Sequence, residues 1–155
     1  MGLRENLLTE SISKLALREA IVVDPTTLIR DAVVLMRNKR LGCVIVAKED
    51  RIPIGVFTER ELMKLLARDA SALDEQVGNH LAPDWATVRQ SDPIAKALEA
   101  MQKNRMRFVC VTNDEGKAIA LTGQKGLMEY IAEHFPQVVL TQAPGTTTFT
   151  EREGA

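Results

Sequence analysis

Thr58 and Glu61 are the pair in this 155-residue chain whose types and spacing best suit polar chemistry. A threonine followed three residues later by a glutamate, just ahead of Leu62, Met63, Leu65 and Leu66, is the capping-box pattern of a helix start. The same carboxylate is a charged acceptor for a ligand, so one pair serves two readings. Catalysis has less to work with, and no enzyme is expected. His80 and His134 lack a neighbouring Cys or Asp pattern that would make a nucleophile–base pair or a metal site, and read as ordinary surface or partly buried histidines. No glycine loop that cradles a phosphate is present, and Trp85, Tyr130 and the 4 phenylalanines are too scattered for a base-stacking platform. With 20 basic and 21 acidic residues the net charge is −1, which offers no broad field to a nucleic-acid backbone or an anionic membrane. No apolar run approaches the ~20 residues that span a bilayer, and Arg4, Glu5 and Glu10 interrupt the stretch where a signal peptide is apolar. The expected location is therefore the cytoplasm, with neither nucleic acid nor membrane as partner.

The elements that must position Thr58 and Glu61 occur twice. Ile29, Ala32, Met36, Arg40, Val44 and Val46 return as Ile94, Ala97, Met101, Arg105, Val109 and Val111, about 65 residues on. Their spacing is first helical and then alternating, so the repeat is one of tertiary structure, and functional residues belong at equivalent positions of both halves. An amphipathic helical arm is expected from about Leu3 to Leu17, strapped over the core or a partner subunit. Ala20 to Val23 reads as a strand, and Pro25 stops it before Thr26 or Thr27 caps a helix from about Leu28 to Lys39. Cys43 to Ala47 reads as a buried strand, Ile52 to Phe57 as its partner, and Thr58 opens a helix to about Arg68 that buries Leu62, Met63, Leu65 and Leu66. In the second half Thr87-Val88 is a short strand and Asp92 caps a helix with Pro93 at its first position. Phe108 to Thr112 pairs with Lys117 to Leu121 across a turn at Asn113-Asp114-Glu115-Gly116, and a helix follows from Lys125 to Glu133. Cys43 and Cys110 sit in these strands at positions that do not correspond, which reads as two core thiols. The organisation is an arm at 1–19, a first unit at 20–68, a connector at 69–86 with Leu73, Val77 and Leu81 in a packed turn, a second unit at 87–135 and an extension at 136–155. In the extension Val138, Val139 and Leu140 look packed, and Pro144 to Thr150 reads as a mobile tail.

Two copies of strand, helix, strand, strand, helix, the first closed by Gly55-Val56-Phe57-Thr58-Glu59-Arg60-Glu61, resemble a tandem pair of cystathionine-β-synthase (CBS) domains, often called a Bateman module. The resemblance implies an α/β (α+β) fold of two βαββα repeats related by a pseudo-twofold axis, each with a small mixed sheet and two helices. The family's closing pattern is glycine, two apolar residues, Thr or Ser, two variable residues and Asp; here Glu61 stands for the Asp. In the second copy, allowing a one-residue deletion, Thr122 aligns with Thr58, Ile119 takes the glycine position and Lys125 the acidic one. The resemblance further implies an adenine nucleotide in the clefts between paired units. A carboxylate there accepts from both ribose hydroxyls, the Thr hydroxyl and helix N-terminal N–H groups face sugar or phosphate, and β-branched strands form a slot for adenine. Carried over by position, the first site uses Thr27, Leu41, Gly42, Val56, Thr58 and Glu61. The second, weaker one uses Asp92, Met106, Arg107, Ala120, Thr122 and Lys125. Since Lys125 removes the ribose acceptor and Asp92 repels phosphate, one competent site is expected. Arg107 and Lys125 either face a phosphate held by the first unit across the pseudo-twofold axis or are solvated surface. The implied ligand is AMP, ADP, ATP or another adenosyl compound, with no obligatory cofactor. The implied assembly is a homodimer, commonly a disc of four CBS units, acting on an unknown effector protein. The expected function is a regulatory sensor, and the alternative is a nucleotide-independent interaction or scaffold module with decayed clefts.

Overall fold

The computed structural model describes residues 2–137, so the expected packing of Val138, Val139 and Leu140 and the expected tail lie outside the described residues. Helix α1 spans Leu3–Thr9, followed by a 3-10 turn at Ile12–Lys14 and a short strand β1 at Arg18–Glu19. The first unit is β2 (Val22–Val23), α2 (Ile29–Lys39), β3 (Cys43–Ala47), β4 (Pro53–Thr58) and α3 (Glu59–Arg68). Two 3-10 turns, Ala70–Asp74 and Val77–Asn79, lead to the second unit, β5 (Thr87–Arg89), α4 (Ile94–Asn104), β6 (Phe108–Thr112), β7 (Ala118–Gly123) and α5 (Gln124–His134). Each unit has one parallel and one antiparallel pairing, β2–β3–β4 and β5–β6–β7, and β1 joins the second sheet along β7. The βαββα order and the small mixed sheets match the fold expected from the sequence.

The repeat is closer than a shared element order. Both hairpins carry an irregularity one residue from the end of the inner strand, at Val46/Ala47 and Val111/Thr112. Both inner helices end on an arginine in the left-handed region, Arg40 at φ 53° and Arg105 at φ 52°. Each closes a Schellman-type turn in which the next N–H bonds back to a methionine carbonyl, Leu41 to Met36 and Met106 to Met101.

The segments ahead of the two units also correspond, and each docks on the other unit. The Ile12 N–H donates to the Asp92 carbonyl and the Ile94 N–H to Glu10; the Val77 N–H donates to Thr27 and the Ile29 N–H to Glu75. Ile12 and Val77, both fully buried, anchor the two straps. This docking shortens the expected N-terminal helix. Glu10 is pulled into extended backbone to serve Ile94, so α1 ends at Thr9 and the chain then runs as a strap into β1. It also replaces the expected caps. The first N–H of α2 and of α4 is satisfied by a strap carbonyl, and neither helix has a side-chain cap. Thr26 instead donates its hydroxyl (2.6 Å) and its N–H (2.8 Å) to Asp24, bonds that hold the Asp24 carboxyl below its ordinary pKa. Asp92 accepts from the Arg89 N–H and pairs with Lys96 at 3.2 Å, and Pro93 occupies the cap position of α4.

Two apolar clusters fill the units, one around Ile29, Met36, Ile45 and Phe57 and one around Ile94, Met101, Val111 and Tyr130. On α3 only Leu65 of the expected apolar set is fully buried, with Leu62 packed at the margin; Met63 and Leu66 face outward at 67% and 39% exposure.

Candidate functional site

A cavity of about 940 Å³ opens between the two halves, at the upper end of the roughly 300–1,000 Å³ typical of small-ligand sites. The first half contributes Leu41 and Gly42 beyond the end of α2, Thr58 at the end of β4, and Glu61 in the first turn of α3; the second contributes Met106, Arg107, Thr122 and Lys125. Four other residues singled out from the sequence lie away from it. Thr27 is in the loop before α2, its carbonyl taken by the Val77 N–H. Val56 is packed into the core at 2% exposure, Asp92 pairs with Lys96, and Ala120 lies beside Glu19 of β1.

Thr58 and Glu61 do not form a capping box. Thr58 is the residue before α3, yet that helix has no side-chain cap, and the Glu59 N–H is satisfied by the Gly42 carbonyl at 3.0 Å. The Thr58 hydroxyl instead donates to Glu61 Oε1 at 2.5 Å, with both residues buried at 6% and 8% exposure. The second carboxylate oxygen, Oε2, is buried without a hydrogen-bond partner. Burying an acceptor without a donor costs about 1–3 kcal/mol, more for a charged group. An arrangement that keeps one oxygen occupied and the other free beside a cavity suits a ligand that brings hydroxyl donors.

The strand register corrects the repeat alignment. Cys43 pairs with Thr58 and Phe108 with Gly123; Val44 pairs with Phe57 and Val109 with Thr122. The Gln124 N–H bonds to the Arg107 carbonyl as the Glu59 N–H bonds to Gly42. The offset therefore runs unbroken through the hairpin and into the helix, without a deletion. Gly123 stands where the first half has Thr58, Gly126 where it has Glu61, and Ala120 where it has Gly55. Thr122 corresponds to the core residue Phe57, and Lys125 lies one position before the acidic one. The second half thus lacks both hydroxyl and carboxylate at the matched positions. Gly126 is also tightly enclosed: a Cβ there would lie 3.1 Å from the Ala16 carbonyl of the strap and 3.3 Å from Thr122 Oγ1. Thr122 is 3% exposed, and its Oγ1, like Glu61 Oε2, is buried without a partner.

Charge around the cavity departs from the near-neutral chain. Arg18, Arg37, Arg40, Arg60, Lys64, Arg105, Arg107 and Lys125 line it, against the carboxylates Glu59, Glu61 and Asp84. Composition concealed this concentration because these residues are dispersed along the sequence and meet only in the fold. Of these cations only Arg107 and Lys125 had a site role from the sequence; among the other six, Arg40 and Arg105 stand at matched positions of the repeat with left-handed backbone. A non-glycine residue in the left-handed region costs about 1–2 kcal/mol, and such cost concentrates at functional positions. The matched pair in the repeat was the available signal.

The two cysteines are free and about 1% exposed. Burial pushes the Cys43 thiol up to about 12, with Cys110 and Glu59 adding to the effect and Arg18 opposing it; burial does the same for Cys110, opposed by Arg51. His80 pairs with Glu75 in the connector, and His134 stacks on Tyr130 with ring centres 4.4 Å apart. Among the described residues no cluster of His, Cys, Asp and Glu could hold a metal ion, and no helix is long and apolar enough to cross a membrane.

A family model described as "CBS domain" matches residues 12–68 and again 77–133, so both matches begin at the straps. An uncharacterized protein of Methanopyrus kandleri is 24% identical over 120 residues, covering 77% of this chain and 61% of that protein, so the chain spans less than two thirds of this relative's length. Among solved structures, the CBS domain protein of Pyrobaculum aerophilum complexed with AMP is 22% identical, covers 88% of this chain and 99% of that one, and has a TM-score of 0.70. CBSX2 in complex with AMP is 20% identical over 79% of this chain and 96% of its own, with a TM-score of 0.66.

Proposed function

The chain belongs to the CBS-domain family, with two copies in tandem, and from this premise we propose that it is a regulatory module that binds one adenine nucleotide in the cavity between its halves. The observation that carries the reading is the buried Thr58–Glu61 pair, with one carboxylate oxygen occupied and the other without a partner beside the cavity. A ribose with vicinal hydroxyls supplies the missing donors, Leu41, Leu62 and Met106 offer apolar surface to the base, and the cationic wall suits phosphate. The two structural neighbours named with AMP support the same ligand class. Because Gly123 and Gly126 replace the polar pair in the second half, the proposal is for one nucleotide per chain.

Binding regulates only if it distinguishes two arrangements of the chain. A ligand held by α3 of the first unit and by α5 of the second favours the arrangement in which both face it. The readout passes to an effector protein or a second copy of the chain. For the second copy, α3 and α5 expose Met63 and Met128 at 67% each, at matched positions of the repeat. No reaction is assigned to the module, whose two histidines are engaged in local contacts away from the cavity.

A thermal-shift screen with adenine and guanine nucleotides, S-adenosylmethionine and NAD tests the assignment. At 100 times the dissociation constant a ligand stabilises the fold by about 2.7 kcal/mol, and adenine nucleotides are expected to produce that shift selectively. Absence of a shift with every ligand would instead favour a nucleotide-independent interaction module.

A further inference from the structure

We propose that Arg51 is a latch that locks the two hairpin turns together and so sets, from the end of the strands away from the cavity, how the two halves stand around it. The inference rests on the nucleotide reading above only for its consequence, tighter binding of a ligand that touches both halves.

The two turns are closed alike. The Arg51 N–H donates to the Lys48 carbonyl at 2.9 Å and the Gly116 N–H to the Asn113 carbonyl at 3.0 Å, and the constant repeat offset makes these the same positions of the two hairpins. Both need left-handed backbone there, with φ 63° at Arg51 and 83° at Gly116. Glycine takes that conformation freely and arginine does not. The first turn therefore carries a strain that the second avoids, and it carries it at the residue that crosses to the other half.

Arg51 takes both main-chain groups of Ala118, the first residue of β7. Its carbonyl accepts from the Ala118 N–H at 2.9 Å, and its Nε and Nη2 donate to the Ala118 carbonyl at 3.2 and 2.9 Å. The reverse contact cannot form. Gly116 has no side chain to reach across, and Pro53, the match of Ala118, has no N–H to give. Apolar packing stands in its place, since a Cβ at Gly116 would lie 3.6 Å from Ile52 Cδ1. The hydrogen-bonded tie between the turns is thus one-sided and centred on Arg51. Arg51, Pro53, Gly116 and Ala118 all lie outside the cavity lining, which takes in the other ends of the same strands at Thr58 of β4 and Thr122 of β7. Four or five residue steps at about 3.3 Å each separate latch from cavity by roughly 13–17 Å along either strand. Each strand is fixed at one end by the latch and meets the ligand at the other. A ligand that bridges the halves binds best when they are already in place.

The test reads the arrangement directly, as electron spin resonance distances between labels at Arg68→Cys and Glu133→Cys, exposed and repeat-matched positions near the ends of α3 and α5. Cys43 and Cys110 are buried and stay unlabelled, and labelled chains are diluted with unlabelled ones so that distances within one chain are read. Arg51→Gly keeps the turn, since glycine serves at the matched position, and removes the guanidinium. Ala118→Pro, matching Pro53, removes the N–H from the other side. The expected result is a narrow distance in the labelled parent and a broadened distribution in both variants that narrows again with saturating ATP. By calorimetry ATP should bind both variants roughly threefold more weakly or worse, because apparent affinity falls with the fraction of molecules in the competent arrangement. Distances unchanged in both variants would overturn the latch. Broadened distances with ATP affinity equal to that of the parent would also overturn it, since the latch would then not act on the cavity. Broadening in both variants, with no binding of ATP to the parent, would support the latch and overturn the nucleotide reading.

Discussion

Replacing Glu61 by glutamine separates the two chemistries that a Thr-x-x-Glu sequence offers. In the structure Thr58 donates to Glu61 Oε1 at 2.5 Å, and α3 has no side-chain cap. Glutamine retains an acceptor oxygen for the Thr58 hydroxyl, so the unliganded protein is expected to lose about 0.5 kcal/mol or less. What disappears is the second acceptor, Oε2, the buried oxygen without a partner; an amide nitrogen there donates where a ribose hydroxyl must also donate. A hydrogen bond to a charged group contributes about 1.5–3 kcal/mol, so the dissociation constant should rise roughly 10- to 150-fold. The same loss appears in melting experiments. At a ligand concentration that stabilises the wild type by about 2.7 kcal/mol, a tenfold weaker variant gains only about 1.4 kcal/mol. Titration calorimetry measures the first number and a thermal scan with and without nucleotide the second. A variant with nucleotide affinity within twofold of wild type would refute Glu61 as the ribose acceptor.

Three other perturbations probe the account. Arg105→Gly removes a side chain from the cavity and relieves its left-handed backbone at φ 52°; chemical denaturation should show a gain of about 1 kcal/mol, while titration shows weaker nucleotide binding. Cys43 and Cys110 hold their protons to about 12 in the fold, against an ordinary 9.0, so between those values the unfolded chain binds fewer protons. Their contribution is complete below pH 9 and falls as pH rises toward 12, by up to about 1.4 kcal/mol per pH unit for each thiol. Urea titrations of wild type and of the Cys43→Ala, Cys110→Ala double variant should diverge over that range, and parallel pH profiles would remove the thiols from it. Met63→Lys with Met128→Lys places charges on the two exposed, repeat-matched methionines and should convert a homodimer to monomer in analytical ultracentrifugation; an unchanged mass would exclude α3 and α5 from the interface.

The inner strands Cys43–Ala47 and Phe108–Thr112 were legible because each is an apolar run closed by a polar turn, and the inner helices because their apolar residues recur at helical spacing. The arm over the core and the packed turn at Val77 were expected, but the docking of each strap on the opposite unit was not. The order of the straps comes from single hydrogen bonds to the opposite unit, such as Ile12 to Asp92 and Val77 to Thr27, which leave no periodic pattern. Two-residue β1 was missed for the same reason. The alignment of the second closing motif went astray because a Thr was matched to a Thr, whereas the hairpin irregularity and the left-handed helix ends fix the register independently of side-chain chemistry. Holding the constant offset of Ile29 with Ile94 through the motif would have placed Gly126 opposite Glu61. The cationic wall required the fold itself, since Arg18, Lys64, Arg105 and Lys125 come from four separate elements or their ends.

The most direct measurement is a crystal structure of the chain grown with saturating ATP. The account predicts one nucleotide per chain, bound in the cavity between the halves with its ribose hydroxyls within hydrogen-bond distance of Glu61 Oε2. A cavity empty of nucleotide, or a ribose bound elsewhere with Glu61 Oε2 still unpartnered, would contradict it.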